Sequence, residues 1–160
     1  MWRPEFEFVS ARSARLQGYH RRLAVFSHHY RGTPECPGLV LGLDKGGLCE
    51  GLLYEIAPEQ WPKVYEQVHK REMLGDVYLE MVLPVTLLAG GAPLEAITYV
   101  ANDESQQFAT DMPIEKLMTY IEQGQGTVGS CRQYVANTIR RLRKLGIHDE
   151  GLERLSPYIL

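Results

Sequence analysis

The order in which hydrophobic periodicities follow one another constrains the fold of this chain most. Strand patterns dominate its first hundred residues and helical ones the remainder. Leu16 to Ser27 and Leu94 to Ala101 read as strands. Val77 to Leu83 alternates, with Val77, Leu79, Met81 and Leu83 on the apolar face and Tyr78, Glu80 and Val82 on the other. Pro84 places that strand at an edge or a bulge, and Gly90-Gly91 turns the chain toward the next. Leu39 to Leu43 and Cys49 to Ile56 have the look of a hairpin joined through Asp44-Lys45-Gly46-Gly47, glycines standing where positive φ is needed.

Three helices follow from their stripes and stops. One runs from about Pro58 to Glu72, with Pro58 in the opening turn. A second covers about Met112 to Gln123, with Ile114, Leu117, Met118 and Ile121 on one face and Gly124 as the stop. A third starts at Ser130, with Gln133 completing a capping box, and ends before Gly146. A short turn around Asp149 to Leu155 closes the chain. No linker or repeat divides residues 1–160, so the expectation is a single α+β domain, a sheet or small barrel packed by helices.

Composition removes several function classes. The 160 residues are 44% hydrophobic and 23% charged, ordinary values for a globular chain. A formal charge of −3 supplies no global field for nucleic acid, and the basic run Arg140, Arg141, Arg143, Lys144 reads as a solvated helix face. The apolar region Tyr78 to Ala89 is broken by Glu80 and Pro84 and is too short to span a bilayer. Three cysteines, Cys36, Cys49 and Cys131, form no C-x-x-C pair, and with no apolar leader at the N-terminus the expected setting is the reducing cytoplasm. The five histidines show no i, i+4 pair of the zinc-protease kind and read as surface or loop residues, so no metal is expected. Cys131, at a helix start without a histidine partner, reads as buried or as part of a capping turn. Nothing resembles a G-x-S-x-G elbow or a P-loop.

One residue breaks its pattern. On the first helix Trp61, Val64, Tyr65 and Val68 form the apolar stripe, and the next position on it is Glu72. At about 100° per residue, Glu72 lies within about 20° of Trp61. A carboxylate therefore occupies a place expected for a core side chain. Two readings fit: a general base or acid, or a helix-end residue that pairs with Arg71 or another cation.

A resemblance adds to this. Gly18-Tyr19-His20-Arg21-Arg22 and Phe26-Ser27 look like the early strand of the ChaC-type γ-glutamylcyclotransferases. The run from Arg31-Gly32-Thr33-Pro34-Glu35 through Pro37-Gly38-Leu39-Val40-Leu41-Gly42-Leu43-Asp44 resembles that family's R-G-T-P-E-x-P-G-L-V-L-G-L-D segment almost without a break. Arg71-Glu72-Met73, Thr98-Tyr99-Val100-Ala101 and Leu145-Gly146-Ile147 resemble its R-E-M, T-Y-V-A and L-G-I elements, in the same order.

The resemblance implies a small mixed β-barrel flanked by helices, with Glu72 as the catalytic base. It also implies a cofactor-free cleavage of glutathione, or of another γ-glutamyl compound, to 5-oxoproline and the remaining amine. Trp2, Arg31 and Tyr134 are the candidate substrate contacts. Arg31 has the planar fork suited to a carboxylate, and reads equally as a loop arginine tied to Asp44 or Glu50. Tyr134 is retained where the family shows N-x-E-Y, although Cys131 and Gln133 differ from it. Tyr99 reads as core or as a hydrogen bonder inside the barrel.

The family further shows a strand ending in Y-G-S-L, whose amides grip the γ-glutamyl group, and Met1-Trp2 resembles the two residues after it. The expectation is that Met1 corresponds to an internal methionine. For the chain as given, losing one such donor would cost roughly 2.7–4 kcal/mol, and an uncovered sheet edge would invite a homodimer. The alternative function is that of an impaired or non-catalytic γ-glutamyl-binding or regulatory protein.

Overall fold

A computed structural model describes residues 4–160. The strands are β1 (Ser10–Ser27), β2 (Gly38–Glu55), β3 (Tyr78–Leu87) and β4 (Leu94–Ala101), with the helix α1 (Trp61–Glu72) between β2 and β3. After β4 come α2 (Ile114–Gln123), the short pair β5 (Gln125–Gly126) and β6 (Gly129–Ser130), α3 (Cys131–Lys144), and two single turns, α4 (Glu150–Glu153) and α5 (Ser156–Ile159). The long strands form one sheet in the order β2-β1-β3-β4, a curled half-barrel with β2 and β4 at its edges among the described residues. The fold is α+β.

Two compact units divide the chain, and the long strands β1 and β2 each contribute to both. Residues 4–20 and Leu43–Asn102 make the first. Its core gathers Leu16, Cys49 and Val85, with Tyr19, Leu43, Leu53, Leu83 and Ala96 packed against them. An antiparallel ladder joins β3 to β4 from Tyr78↔Ala101 to Val85↔Leu94. The ladder between β1 and β3 is much shorter, from Ala14↔Leu87 to Leu16↔Val85.

Arg21–Gly42 and Asp103–Leu160 make the second unit. Its core is built on Leu39, Ile121, Cys131, Val135, Ile139, Leu152 and Leu155, all almost fully buried. The end of β1 bonds to the segment before α2 through Phe26 N to Gln107 O at 2.8 Å and Ala109 N to Ala24 O at 2.8 Å. Ser130 caps α3 by accepting from the amide of Gln133, and Asp149 caps α4 by accepting from that of Leu152, each as a capping residue should.

Four sequence expectations change. The hairpin of residues 39–56 is instead one continuous strand, and Gly46 (φ +95°) and Gly47 (φ +70°) bend it from within. Positive φ was needed, but inside a strand, where such residues bulge and twist the ladder. The first helix starts at Trp61, and Pro62 takes the opening-turn place expected of Pro58. The alternation in β3 is inverted over its first half: Leu79 and Met81 are exposed at 43% and 36%, whereas Tyr78 and Glu80 are half-buried. Finally, β3 is an inner strand of the sheet, yet Pro84 falls just outside the ladder with β1 and so removes no donor from it.

Candidate active site

In the first unit, α1 ends on Glu72, half-buried at 23% side-chain exposure. Of the stripe leading to it, Val64 is buried, while Trp61 is exposed at 42% and does not serve as core. Arg71 donates to Glu72 from Nε at 3.0 Å and from Nη2 at 2.8 Å. Both bonds fall on Oε1, so the Arg71 pairing and an available carboxylate oxygen coexist: Oε2 takes part in neither bond. Arg71 also lies 4.0 Å from the carboxylate of Glu5.

Beside Glu72 the same helix presents a second polar cluster. The rings of Trp61, Tyr65 and His69 follow one another at i, i+4 and i+8, with centroids 5.4 Å and then 5.2 Å apart. Tyr65 and His69 reach the β3 carboxylate of Glu80: Tyr65 Oη donates to Oε1 at 2.9 Å, and His69 Nδ1 lies 2.7 Å from Oε2. Tyr99, directly opposite Glu80 in the β3–β4 ladder, donates to Oε2 at 2.7 Å. Because an ionised carboxylate only accepts, Nδ1 of His69 is the donor in this contact.

Charge and burial act together on this cluster. Burial pushes the Glu80 carboxyl up, but the bonds from His69, Tyr99 and Tyr65 outweigh it and hold Glu80 below the usual carboxylate range. Burial first, then the bond and charge of Glu80, push the Tyr99 phenol well above its ordinary range, with smaller contributions from Tyr65 and Glu72. The Tyr65 phenol is raised chiefly by its bond to Glu80.

In the second unit, Arg31 and Tyr134 come together. The Arg31 guanidinium lies over the Tyr134 ring at 5.2 Å, and its Nη1 donates to Val128 O at 2.9 Å. Tyr134 Oη accepts from the amide of Leu41 at 3.2 Å. Four glycines let the backbone close tightly around Arg31. A Cβ on Gly32, Gly38, Gly124 or Gly126 would lie 2.1–2.5 Å from a backbone atom of a neighbouring segment. Beneath them Cys131 is fully buried, bonded to both the amide and the carbonyl of Leu39, and burial pushes its thiol up to about 11. That is a packing cysteine rather than a nucleophile. Trp2, the remaining candidate contact, lies outside the described residues.

Among the described residues no group of three or more histidine, cysteine or acidic side chains forms a metal site. Tyr65, His69 and Glu80 form this cluster although none of them was read from the sequence as a candidate site residue; Tyr65 was assigned to the apolar stripe. The histidine was grouped with surface residues, and β3 alternation put Glu80 on the polar face. The available signal was the i, i+4, i+8 spacing of Trp61, Tyr65 and His69, which ends one turn before Glu72.

The α+β scaffold thus holds two half-buried carboxylates in its first unit, Glu72 at the end of α1 and the hydrogen-bonded Glu80 on β3. The chain belongs to the family of ChaC-like proteins, which it matches over residues 1–159. It is 29% identical over 155 residues to the glutathione-specific γ-glutamylcyclotransferase of Escherichia coli strain K12, covering 97% of this chain and 67% of that protein. It is 30% identical to the human glutathione-specific γ-glutamylcyclotransferase 1, covering 84% of this chain and 62% of that protein. The chain thus spans about two thirds of the length of these relatives. A crystal structure of a γ-glutamylcyclotransferase specific to glutathione from yeast shares the fold, with a TM-score of 0.84 at 20% identity over 95% of this chain and 87% of that one.

Proposed function

We propose that this chain is a γ-glutamylcyclotransferase that cleaves glutathione to 5-oxoproline and cysteinylglycine, with Glu72 as its general acid and base. The observation that carries the reading is Glu72 itself: a half-buried carboxylate at the end of α1, fixed through one oxygen by Arg71 and free of that pairing at the other. Its place in the family's R-E-M element agrees with this.

The chemistry is an internal displacement. Glu72 accepts a proton from the α-ammonium of the γ-glutamyl group, and the freed amine attacks the γ-carbonyl carbon. As the tetrahedral oxyanion collapses and the C–N bond to the cysteine residue breaks, Glu72 returns that proton to the departing nitrogen. The ring nitrogen gives up its remaining extra proton, so that 5-oxoproline leaves as the neutral lactam and cysteinylglycine as its ammonium. No electrons are exchanged and no co-reactant is consumed. Holding the glutamyl chain bent into a near-attack geometry supplies most of the advantage of such a ring closure.

Arg31 is the proposed contact for a substrate carboxylate, and Tyr134, stacked beneath the guanidinium, keeps its fork in one orientation. Among the described residues no helix is long and apolar enough to cross a membrane, and all three cysteines are free thiols, in keeping with a cytoplasmic setting. Self-association is part of the proposal. The β3 side chains Leu79 and Met81, on one face of the strand, are exposed at 43% and 36%, and a second copy would cover them. Light scattering at micromolar concentration should give the mass of a dimer, and a monomer there rejects that part.

The test of function is product chemistry. Incubation with glutathione should release 5-oxoproline and cysteinylglycine in equal amounts, with slower release from other γ-glutamyl amides. Release from a γ-glutamyl amine but not from glutathione would move the substrate assignment, and none from either would reject the enzyme.

A further inference from the structure

The cluster around Glu80 has no part in the proton transfers just described, yet its construction is costly for a purely structural contact. A half-buried carboxylate is satisfied by three donors from three places in the sequence, two on α1 and one on β4. An apolar side chain at position 80 would seal α1 against the sheet without such a network, as Val64 seals its own part of the helix. What the network adds is position: a fully satisfied polar cluster admits few alternative arrangements. His69 precedes Glu72 by three residues, so their side chains neighbour each other on one helix face.

We propose that Glu80 is a positioning residue for Glu72: through His69 and Tyr65 it locks the last turns of α1 onto β3 and β4, and so fixes where the Glu72 carboxylate meets substrate. This rests on the cyclotransferase reading. It assigns Glu80, His69, Tyr65 and Tyr99 no contact with substrate. Their contribution therefore falls on the chemical step and not on binding, since a small misplacement of a reacting group lowers rate steeply.

Two variants and two readouts test it. Glu80→Gln keeps the shape but removes the charge and one acceptor oxygen; Tyr99→Phe removes a single bond and leaves the carboxylate. For Glu80→Gln, kcat on glutathione should fall about tenfold with KM within about twofold; Tyr99→Phe should lose kcat in the same direction but less. Independently of turnover, the Tyr99 phenol, followed by NMR at its hydroxyl-bearing ring carbon through an alkaline titration, should ionise at lower pH in Glu80→Gln than in the parent. An unchanged kcat in both variants, with the Tyr99 titration moved, overturns the proposal, because the network would then be broken without consequence. A raised KM at constant kcat overturns it as well and makes Glu80 a binding residue. Should Glu80→Gln fail to fold, Tyr99→Phe decides alone. A parent protein that releases no 5-oxoproline rejects the functional reading instead, whereas a Tyr99 titration indifferent to Glu80→Gln rejects the network itself.

Discussion

Replacing Gly124 with alanine sets two physical effects against each other, and the structure says which wins. Gly124 follows α2 with φ −69°, a conformation alanine adopts freely. Judged by backbone alone, Gly124→Ala should stabilise by about 0.4–1 kcal/mol, since alanine narrows the unfolded ensemble. The surroundings oppose this. The new Cβ would lie 2.5 Å from the carbonyl oxygen of Arg31, 2.6 Å from Cα of Gly38 and 2.9 Å from Cβ of Cys131.

To reach an ordinary contact of 3.4 Å, the Arg31 carbonyl must retreat by 0.9 Å (3.4 − 2.5). Two of the three neighbours are backbone, and the third belongs to a fully buried side chain, so no flexible group can swing aside. Overpacking of this kind costs about 1–3 kcal/mol, and here the upper end applies. The net expectation is a loss of about 2 kcal/mol, or about 4–8 °C in Tm for a chain of this length. Urea unfolding measures it directly, as a lower midpoint with an unchanged slope. A Gly124→Ala protein as stable as its parent, or more stable, would refute the claim that backbone crowding around Arg31 dictates glycine there.

Further outcomes follow from charge and burial. Glu80 and Glu153 both have folded pKa values below the ordinary carboxylate range. For Glu153 the bond from Arg143 is the main cause; for Glu80, three bonds outweigh burial. A depressed carboxylate stabilises above its unfolded pKa, so urea midpoints should hold from pH 7 down to about 4.5 and then fall as pH drops through the folded values. Loss of stability between pH 7 and 5 would point to other groups. The raised Tyr99 phenol works at the other end: its contribution is present below the ordinary tyrosine value and lost as pH rises past about 10. Tyr99→Phe should flatten that alkaline loss. Of the thiols, only the exposed Cys36 should react with iodoacetamide in the native protein at pH 8, because Cys49 and Cys131 are buried and the Cys131 thiol is pushed up to about 11. Mass spectrometry showing Cys131 alkylated without unfolding would contradict that packing.

The sequence made some of this legible because the deciding physics is local. A serine followed three residues later by glutamine announces the start of α3, and the capping bond at Ser130 is there. Glu72 stood out because an eleven-residue step on a helix returns almost to the starting face; it does end α1 half-buried, although Trp61, where the step begins, is exposed and not core. The failures lie where tertiary partners decide. Glycines at 46 and 47 satisfy a turn and a strand bulge equally well, and only the pairing of a long strand separates the two. The alternation of β3 assigned Leu79 and Met81 inward; the structure leaves them exposed and brings Tyr65, His69 and Tyr99 to Glu80. That inversion needs the β3–β4 register and the placement of α1, neither of which a period-two pattern contains.

The most direct test of the account is 5-oxoproline release from glutathione by the parent chain and by Glu72→Gln, side by side. Glutamine keeps the size of the side chain and an acceptor for Arg71 but cannot take up the ammonium proton. General acid–base catalysis is worth roughly 10²–10⁴-fold, and a loss of that size, with folding intact, is the expected result. A Glu72→Gln protein that releases 5-oxoproline at the parent rate would contradict the assignment of Glu72.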